Sequence, residues 1–285
     1  MELEPIRRCR YLVIGDPIAH SRSPQMQNAG LRALGIAEEY GKLHVKPAEL
    51  TEFVAYARRH LWGVNLTIPH KEPVIPLIDS ISAQAKLAGS VNTLIIRDGR
   101  IAGDSTDGYG LEGAVREAFG YGPEKLAAFF VGTGGAARAA AFHFAARGAS
   151  ALYFANRTVE RAETLAAAVK AAFPAVEVGV AALNDRARFR EFTAASRVVV
   201  QGTSCGLKDD DPAPFDFTWL DGLEPLDCFD TIYRPTPFLA EARRRHWRAA
   251  DGRWMLLHQG ARSLELWTGR AAPVEAMRRA LEQSL

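Results

Sequence analysis

The chain has 285 residues, 48% of them hydrophobic and 24% charged, with a formal net charge of +2. At about 150 residues per domain this predicts two domains with substantial cores, and the near-neutral balance gives no reason to expect a nucleic-acid binder. Cys9, Cys205 and Cys228, an odd number at wide spacing, give neither a disulfide framework nor a C-x-x-C metal pair, no apolar run approaches the ~18 residues of a membrane span, and Arg7, Arg8 and Arg10 lead into a strand rather than a signal-peptide core, so a soluble, cytoplasmic protein is expected.

In chain order, a short strand over 10–14 ends in GDPIAHSRSPQMQN (15–28), and a helix over 25–34 follows, stopped by Gly35. Ser23 before Pro24 reads as a helix cap with proline in the first helical position. The same geometry brings two hydroxyls, Ser21 and Ser23, and free helix N–H groups to a strand end, which suits a small anion such as a carboxylate; spacing alone favours the cap. A strand over 40–45, a helix over 47–59 and a strand over 62–67 come next, the last leaving through Ile68-Pro69-His70-Lys71. Open α/β sheets bind ligands at strand ends. Lys71 therefore becomes a candidate if a carboxylate stands beside it, and is otherwise a solvated charge; His70 reads as structural or exposed. After a helix over 83–88, a strand begins in GSVNTL (89–94), and Asp98-Gly99 between two apolar arms is a strong hairpin signal. The second arm ends in GDSTDGYG (103–110), where Asp107 stands at a strand-to-helix junction and reads on spacing as an N-cap.

The stretch FFVGTGGAARAA (129–140) reads as a strand over 126–131, a turn through Gly132, Thr133, Gly134 and Gly135, and a helix opening with Ala136 and Ala137. G-x-G-x-x-A fits a dinucleotide-binding loop, with backbone N–H groups and a helix N-terminus facing a pyrophosphate. The helix runs to about Arg147, and a strand over 151–155 ends in Asn156-Arg157-Thr158. An NAD site typically places an acid about 20 residues past the glycines. Here Asn156 and Arg157 hold that place, with Arg161 one turn on, so the stretch argues for NADP, whose 2′-phosphate a guanidinium can pair with. The bland alternative is a helix capped by Thr158 with solvated arginines.

Strands over 176–180 and 197–201 complete a βαβαβ pattern, and the loop GTSCG (202–206) lies where a cofactor would. Cys205 reads as a small filler, since no activating base can be placed beside it. A last strand over 226–233 precedes a helix over 238–248, whose RRRHWR (243–248) is a single basic face and a poor case for nucleic acid. A helix over 255–266 carries Gln259, and Pro273 opens a final helix.

Nine segments, GDPIAHSRSP, GVNLTIPHK, GSVNT, STDG, VGTGGAARA, NRT, VVVQGTSCG, FDTIY and MLLHQG, occur in an order and at spacings that resemble the shikimate dehydrogenase family over about residues 11–269. The resemblance implies an α/β, two-domain fold: an N-terminal α/β substrate-binding domain (1–106 and 253–285), a Rossmann-fold NADP-binding domain (107–252), C-terminal helices returning to the first domain, and an active site in the cleft. It implies that Lys71 and Asp107 are the catalytic pair, that Ser21 and Ser23 hold the substrate carboxylate with Tyr233 nearby, and that Thr67, Asn92 and Gln259 bind ring hydroxyls. Gly132, Thr133, Gly134, Gly135 and Ala136 match the pyrophosphate loop. Asn156, Arg157, Thr158 and Arg161 match the adenosine phosphate clamp, and Thr231 and Gly252 stand beside the nicotinamide.

The implied activity is the reversible, NADP-dependent reduction of 3-dehydroshikimate to shikimate in aromatic amino acid biosynthesis. A quinate/shikimate dehydrogenase or a paralogue for a related cyclic hydroxy acid is the alternative, and a non-catalytic NADP-sensing protein a more distant one. The implied partners are small molecules, with no nucleic acid, membrane or metal, in a monomer or homodimer. The residue types suit the chemistry: hydride reduction of a ketone needs a proton donor at the forming alkoxide, and a lysine held by a carboxylate is one. The chain departs from the family at Gln27 (usually His), at Asp104 and Ser105 before Thr106-Asp107, at Gln201-Gly202 (usually Asn-Ala) and at Trp254. Several of these are near the substrate, which leaves shikimate against quinate open.

Overall fold

The strand β1 (Cys9–Gly15, CRYLVIG) is buried along nearly its whole length, as a central parallel strand covered on both faces must be. It pairs in parallel with β2 (Glu39–His44) on one side and β3 (Gly63–Leu66) on the other. In the computed structural model, which describes residues 6–284, the chain divides into two units. One comprises the chain up to Gly110 together with the residues from Leu256 onward; the other is Leu111–Met255. The boundaries expected from sequence, 106/107 and 252/253, would place Asp107 in the second unit; the division after Gly110 instead puts it in the same unit as Lys71.

In the first unit a six-stranded sheet runs in the order β2-β1-β3-β5-β6-β4, with β4 (Ser80–Ile81), β5 (Thr93–Arg97) and β6 (Arg100–Asp104). The β5–β6 hairpin turns at Asp98 and Gly99, both at positive φ (50° and 73°) with Arg97 opposite Arg100, the geometry that Asp-Gly favours. Helices α1 (Ser23–Ala33), α2 (Leu50–His60) and α3 (Ala83–Ala88) connect these strands. Leu12, Ile14, Phe53, Val64, Leu66, Leu94 and Ile101 form part of the core. Helix α9 (Arg253–Thr268) enters this unit and lays Trp267 against the sheet, its indole N–H donating to the Leu94 carbonyl at 2.9 Å. Helix α10 (Val274–Glu282) packs on α1.

The second unit is a six-stranded, wholly parallel sheet in the order β12-β11-β10-β7-β8-β9. Its strands are β7 (Ala127–Val131), β8 (Ala151–Asn156), β9 (Glu177–Ala182), β10 (Val198–Gln201), β11 (Asp227–Asp230) and β12 (Arg248–Ala250). Helices α5 (Gly135–Ala146), α6 (Val159–Ala172), α7 (Arg186–Ala195) and α8 (Pro237–Arg244) alternate with them, after α4 (Asp107–Phe119). This is the doubly wound dinucleotide-binding order, which reverses between β7 and β10.

Two expected elements are corrected. The strand expected over 226–233 ends at Asp230, and the helix expected to reach 248 ends at Arg244. His246 adopts φ 58°, Trp247 turns into the core, and Arg248–Ala250 becomes an edge strand beside β11. The basic run is thereby dispersed, and three of its arginines are paired: Arg244 with Glu241, Arg245 with Asp221, and Arg248 in a bidentate contact at 2.6 Å with Asp227. Among the described residues no helix is long and apolar enough to cross a membrane.

Candidate active site

Strand ends of the first unit gather the polar residues. Lys71 follows β3, and Asp107 opens α4 after β6. The Lys71 Nζ donates to Asp107 Oδ2 at 2.6 Å, and the side chains are 17% and 2% exposed. The carboxylate on which the reading of Lys71 depended is present, and the cap reading of Asp107 fails. Lys71 is not a solvated charge, and the Asp107 carboxylate is turned to the ammonium and to Asn92 rather than spent as a cap.

Asn92 fixes the other carboxylate oxygen, its Nδ2 donating to Asp107 Oδ1 at 3.0 Å and to Gln259 Oε1 at 3.1 Å. The orientation of that amide is imposed, because its Oδ1 accepts from the Thr106 N–H (2.8 Å) and the Thr93 hydroxyl (2.9 Å). Behind it lies a buried hydroxyl network that sequence reasoning missed. The Ser263 hydroxyl on α9 is 2.9 Å from the Thr93 hydroxyl and accepts from Asn65 at 3.0 Å, while the Tyr40 phenol donates to Asn65 Oδ1 at 2.8 Å. Burial pushes the Tyr40 phenol well above its ordinary pKa, keeping it a neutral donor. Ser263 stands four residues after Gln259, on the same helix face, and that spacing was the available signal.

A cavity of about 80 Å³ is lined by Ser23, Gln27, Thr67, Lys71, Asn92 and Gln259, among others. Ser23 does not cap α1: Arg22 holds the cap position and its side chain makes no cap bond. Ser23 is already helical, so its side chain faces the cavity instead; the Ser21 hydroxyl accepts from the Ser23 N–H at 3.3 Å. His70 is structural, fully buried with Nε2 donating to the Val45 carbonyl at 2.7 Å. Tyr233 belongs to the second unit. Asp104, one of the departures, accepts from Ser82 at 2.5 Å and from the Ser105 N–H at 2.8 Å.

In the second unit the glycine loop leaves β7 at the point where the strand order reverses. Gly132 has φ +98°, and a Cβ there would lie 2.8 Å from the Gly202 carbonyl carbon and the Thr203 nitrogen, so only glycine lets the two loops approach. At Gly134 a Cβ would meet nothing nearer than Gly202 O at 3.9 Å. Gly134 caps α5 without a side-chain bond, Gly135 and Ala136 open that helix, and the buried Thr133 Oγ1 has no partner among the described residues. Free helix N–H groups, an open face and an orphaned hydroxyl fit a pyrophosphate. Gln201 is fully buried and closes the neighbouring loop, its amide donating to the Cys205 carbonyl at 2.9 Å and accepting from the Thr203 N–H.

At the end of β8, Asn156 Nδ2 donates to the Thr158 carbonyl at 2.9 Å. Thr158 holds the cap position of α6 without a side-chain bond. Arg157 and Arg161 are exposed, and neither makes an ion pair among the described residues. Thr231 and Gly252 are adjacent: the Thr231 N–H donates to Gln201 O (3.0 Å), and a Cβ at 252 would meet Thr231 O at 2.2 Å. Beside them, burial raises the Asp230 carboxyl to about 6 although Ile232 N–H and the Thr236 hydroxyl donate to it.

A raised folded-state pKa means that stability is fully present below the ordinary carboxylate pKa and is lost as pH rises through about 6. Asp230→Asn, able to keep both contacts with the Thr236 hydroxyl reversed, removes that loss. In urea unfolding at pH 4 and 7.5, the variant is expected to gain on the native chain at the higher pH by on the order of 3 kcal/mol. An equal difference at both pH values would refute the account. No group of His, Cys, Asp and Glu among the described residues could hold a metal ion.

Three family descriptions match the chain in succession: the shikimate dehydrogenase substrate binding domain over residues 13–94, shikimate / quinate 5-dehydrogenase over 116–202, and the shikimate 5′-dehydrogenase C-terminal domain over 252–282. A shikimate dehydrogenase (NADP(+)) of Symbiobacterium thermophilum is 39% identical over 94% of this chain and 92% of its own. The crystal structure of shikimate 5-dehydrogenase from Thermus thermophilus, in complex with NADP(H) and shikimate, superposes with a TM-score of 0.85 at 32% identity, covering 97% of this chain and 100% of that one. Quinate dehydrogenase from Corynebacterium glutamicum in complex with NAD gives 0.82 at 28% identity, covering 96% and 98%.

Proposed function

The chain belongs to the shikimate dehydrogenase family, and on that premise we propose that it catalyses the reversible, NADP-dependent reduction of 3-dehydroshikimate to shikimate, a step of aromatic amino acid biosynthesis. The observation that carries this reading is the Lys71–Asp107 pair, 2.6 Å apart and aligned by Asn92, with Lys71 and Asn92 on the wall of the cavity.

Ser21 and Ser23 take the substrate carboxylate, assisted by Tyr233; Thr67, Asn92 and Gln259 take ring hydroxyls. The glycine loop from Gly132 to Ala136 holds the pyrophosphate, Asn156, Arg157, Thr158 and Arg161 the adenosine phosphate, and Thr231 and Gly252 flank the nicotinamide. NADPH supplies the hydride. Lys71 gives a proton to the carbonyl oxygen as it becomes an alkoxide, so the ketone gains hydride and proton and leaves as a secondary alcohol. Asp107 keeps the ammonium aimed, and Asn92 keeps Asp107 from turning. The Lys71 side chain is 17% exposed, so solvent returns its proton. In the reverse direction the amine takes the proton from the substrate hydroxyl. The enzyme so described is cytoplasmic, acts on small molecules and works as a monomer or homodimer.

Quinate stays in view because Gln27 and Asp104 depart from the family near the substrate. Steady-state rates with shikimate and quinate, each with NADP and NAD, decide the matter. The shikimate–NADP pair is expected to give the highest kcat/KM; a higher value for quinate with NAD would reject the proposal.

A further inference from the structure

Resting on the functional reading above, we propose that Gln27 is a specificity-determining residue of this site, its Oε1 accepting a hydrogen bond from a hydroxyl of bound shikimate. Gln27 lies one helical turn after Ser23 on α1, is fully buried, and lines the same cavity as Ser23, Thr67, Lys71, Asn92 and Gln259. Its two amide atoms are in different situations. Nε2 donates to the Gly260 carbonyl on α9 at 2.9 Å. Oε1 is buried and has no partner among the described residues.

The amide cannot be turned over to cure this, since Oε1 would then face the Gly260 carbonyl oxygen. The bond to α9 therefore fixes which atom is left over, and that atom is an acceptor. A buried acceptor without a donor costs free energy in the folded chain, and the cost is recovered when a donor arrives. The other polar groups of the cavity are already organised: Asn92 donates to Asp107 and Gln259, and Lys71 donates to Asp107. A substrate carboxylate cannot serve Oε1, because both are acceptors. A hydroxyl can, and the proposed substrate is a polyhydroxylated acid. The arrangement belongs to this chain, because glutamine stands where the resemblance leads one to expect histidine.

The test is a chemical double-mutant cycle on the full-length enzyme. Gln27→Met keeps the length of the side chain and removes both amide functions; Gln27→Leu removes them in a shorter side chain and serves if the first variant does not fold. For each, the shikimate Kd is measured by calorimetry, with kcat, KM, the NADP Kd and the melting temperature alongside. Both variants are expected to raise the shikimate Kd and KM about fivefold to tenfold, as for the loss of one neutral hydrogen bond. The kcat is expected to stay within about twofold, since the contact is made equally in ground and transition states. The NADP Kd should not move.

The same measurements are then made with three deoxy analogues, each lacking one ring hydroxyl. The penalty of the substitution should vanish for one of them and persist for the other two. A shikimate Kd within twofold of the native value, or an equal penalty on all three analogues, overturns the inference and leaves the functional reading standing. Failure of the native chain to bind shikimate overturns both.

Discussion

Lys71→Met is expected to lower kcat about 100-fold or more while leaving the NADP Kd unchanged, and to cost stability as well. Asp107 is 2% exposed and accepts from Lys71 at 2.6 Å; without the ammonium its charge stays buried beside the amide of Asn92. Breaking one side of a buried ion pair typically costs about 3–5 kcal/mol, and the partial exposure of Lys71 puts this site at or below the lower end. Asp107→Asn makes the mirror-image defect, an ammonium with no carboxylate beside it. The double variant discriminates. With both charges gone, its melting temperature should lie above that of either single variant. Its kcat should be no lower than the worse of them, because the two side chains act as one unit. Melting curves, single-turnover rates and NADP titrations on the four proteins read this directly. A Lys71→Met enzyme with native kcat would remove lysine from the chemistry. Additive losses in the double variant would mean that the pair is not a unit.

That pair shows how far the sequence carries. The strand ending in GVNLTIPHK and the junction STDG placed Lys71 and Asp107 at strand ends, but nothing local says that two residues 36 positions apart touch. On spacing alone each has a commonplace role, surface charge or N-cap, and only the resemblance joined them. The hairpin at Asp98-Gly99 and the glycine turn at 132–135 were legible because their backbone geometry selects residue types. Ser23 was misread because Ser-Pro is a good cap signal, whereas α1 starts at Ser23 itself and frees that side chain for the cavity. The edge strand Arg248–Ala250 was invisible. Three residues are too few for a period, and the break before it is made by His246 at positive φ rather than by glycine or proline. Ser263, Thr93 and Asn65 are ordinary polar residues in sequence; they became a network only when α9 came back onto β3 and β5.

Arg157→Ala is expected to raise the NADP Kd about 10-fold to 100-fold and to leave the NAD Kd within about twofold. One charge-assisted hydrogen bond to a phosphate contributes about 1.5–3 kcal/mol, and the two cofactors differ only in that phosphate. The local structure favours this division of labour. Asn156 spends its amide on the Thr158 carbonyl and so shapes the turn after β8 rather than reading charge. Arg157 and Arg161, both exposed and without ion-pair partners among the described residues, are available to an incoming anion. No acid stands at the end of β8, the position from which a carboxylate would bond ribose hydroxyls and repel a 2′-phosphate. Arg161→Ala should act in the same direction and more weakly, being a turn further along α6, and the double variant should bring NADP and NAD to comparable affinity. Raising the salt concentration should weaken NADP more than NAD in the native enzyme and equalise the two responses in the double variant. The measurement is a fluorescence titration of both cofactors across the four proteins. A parallel loss of NADP and NAD affinity in Arg157→Ala would mean that the guanidinium supports the adenosine or the fold rather than the phosphate, and the assignment of NADP would then lose its basis in this turn.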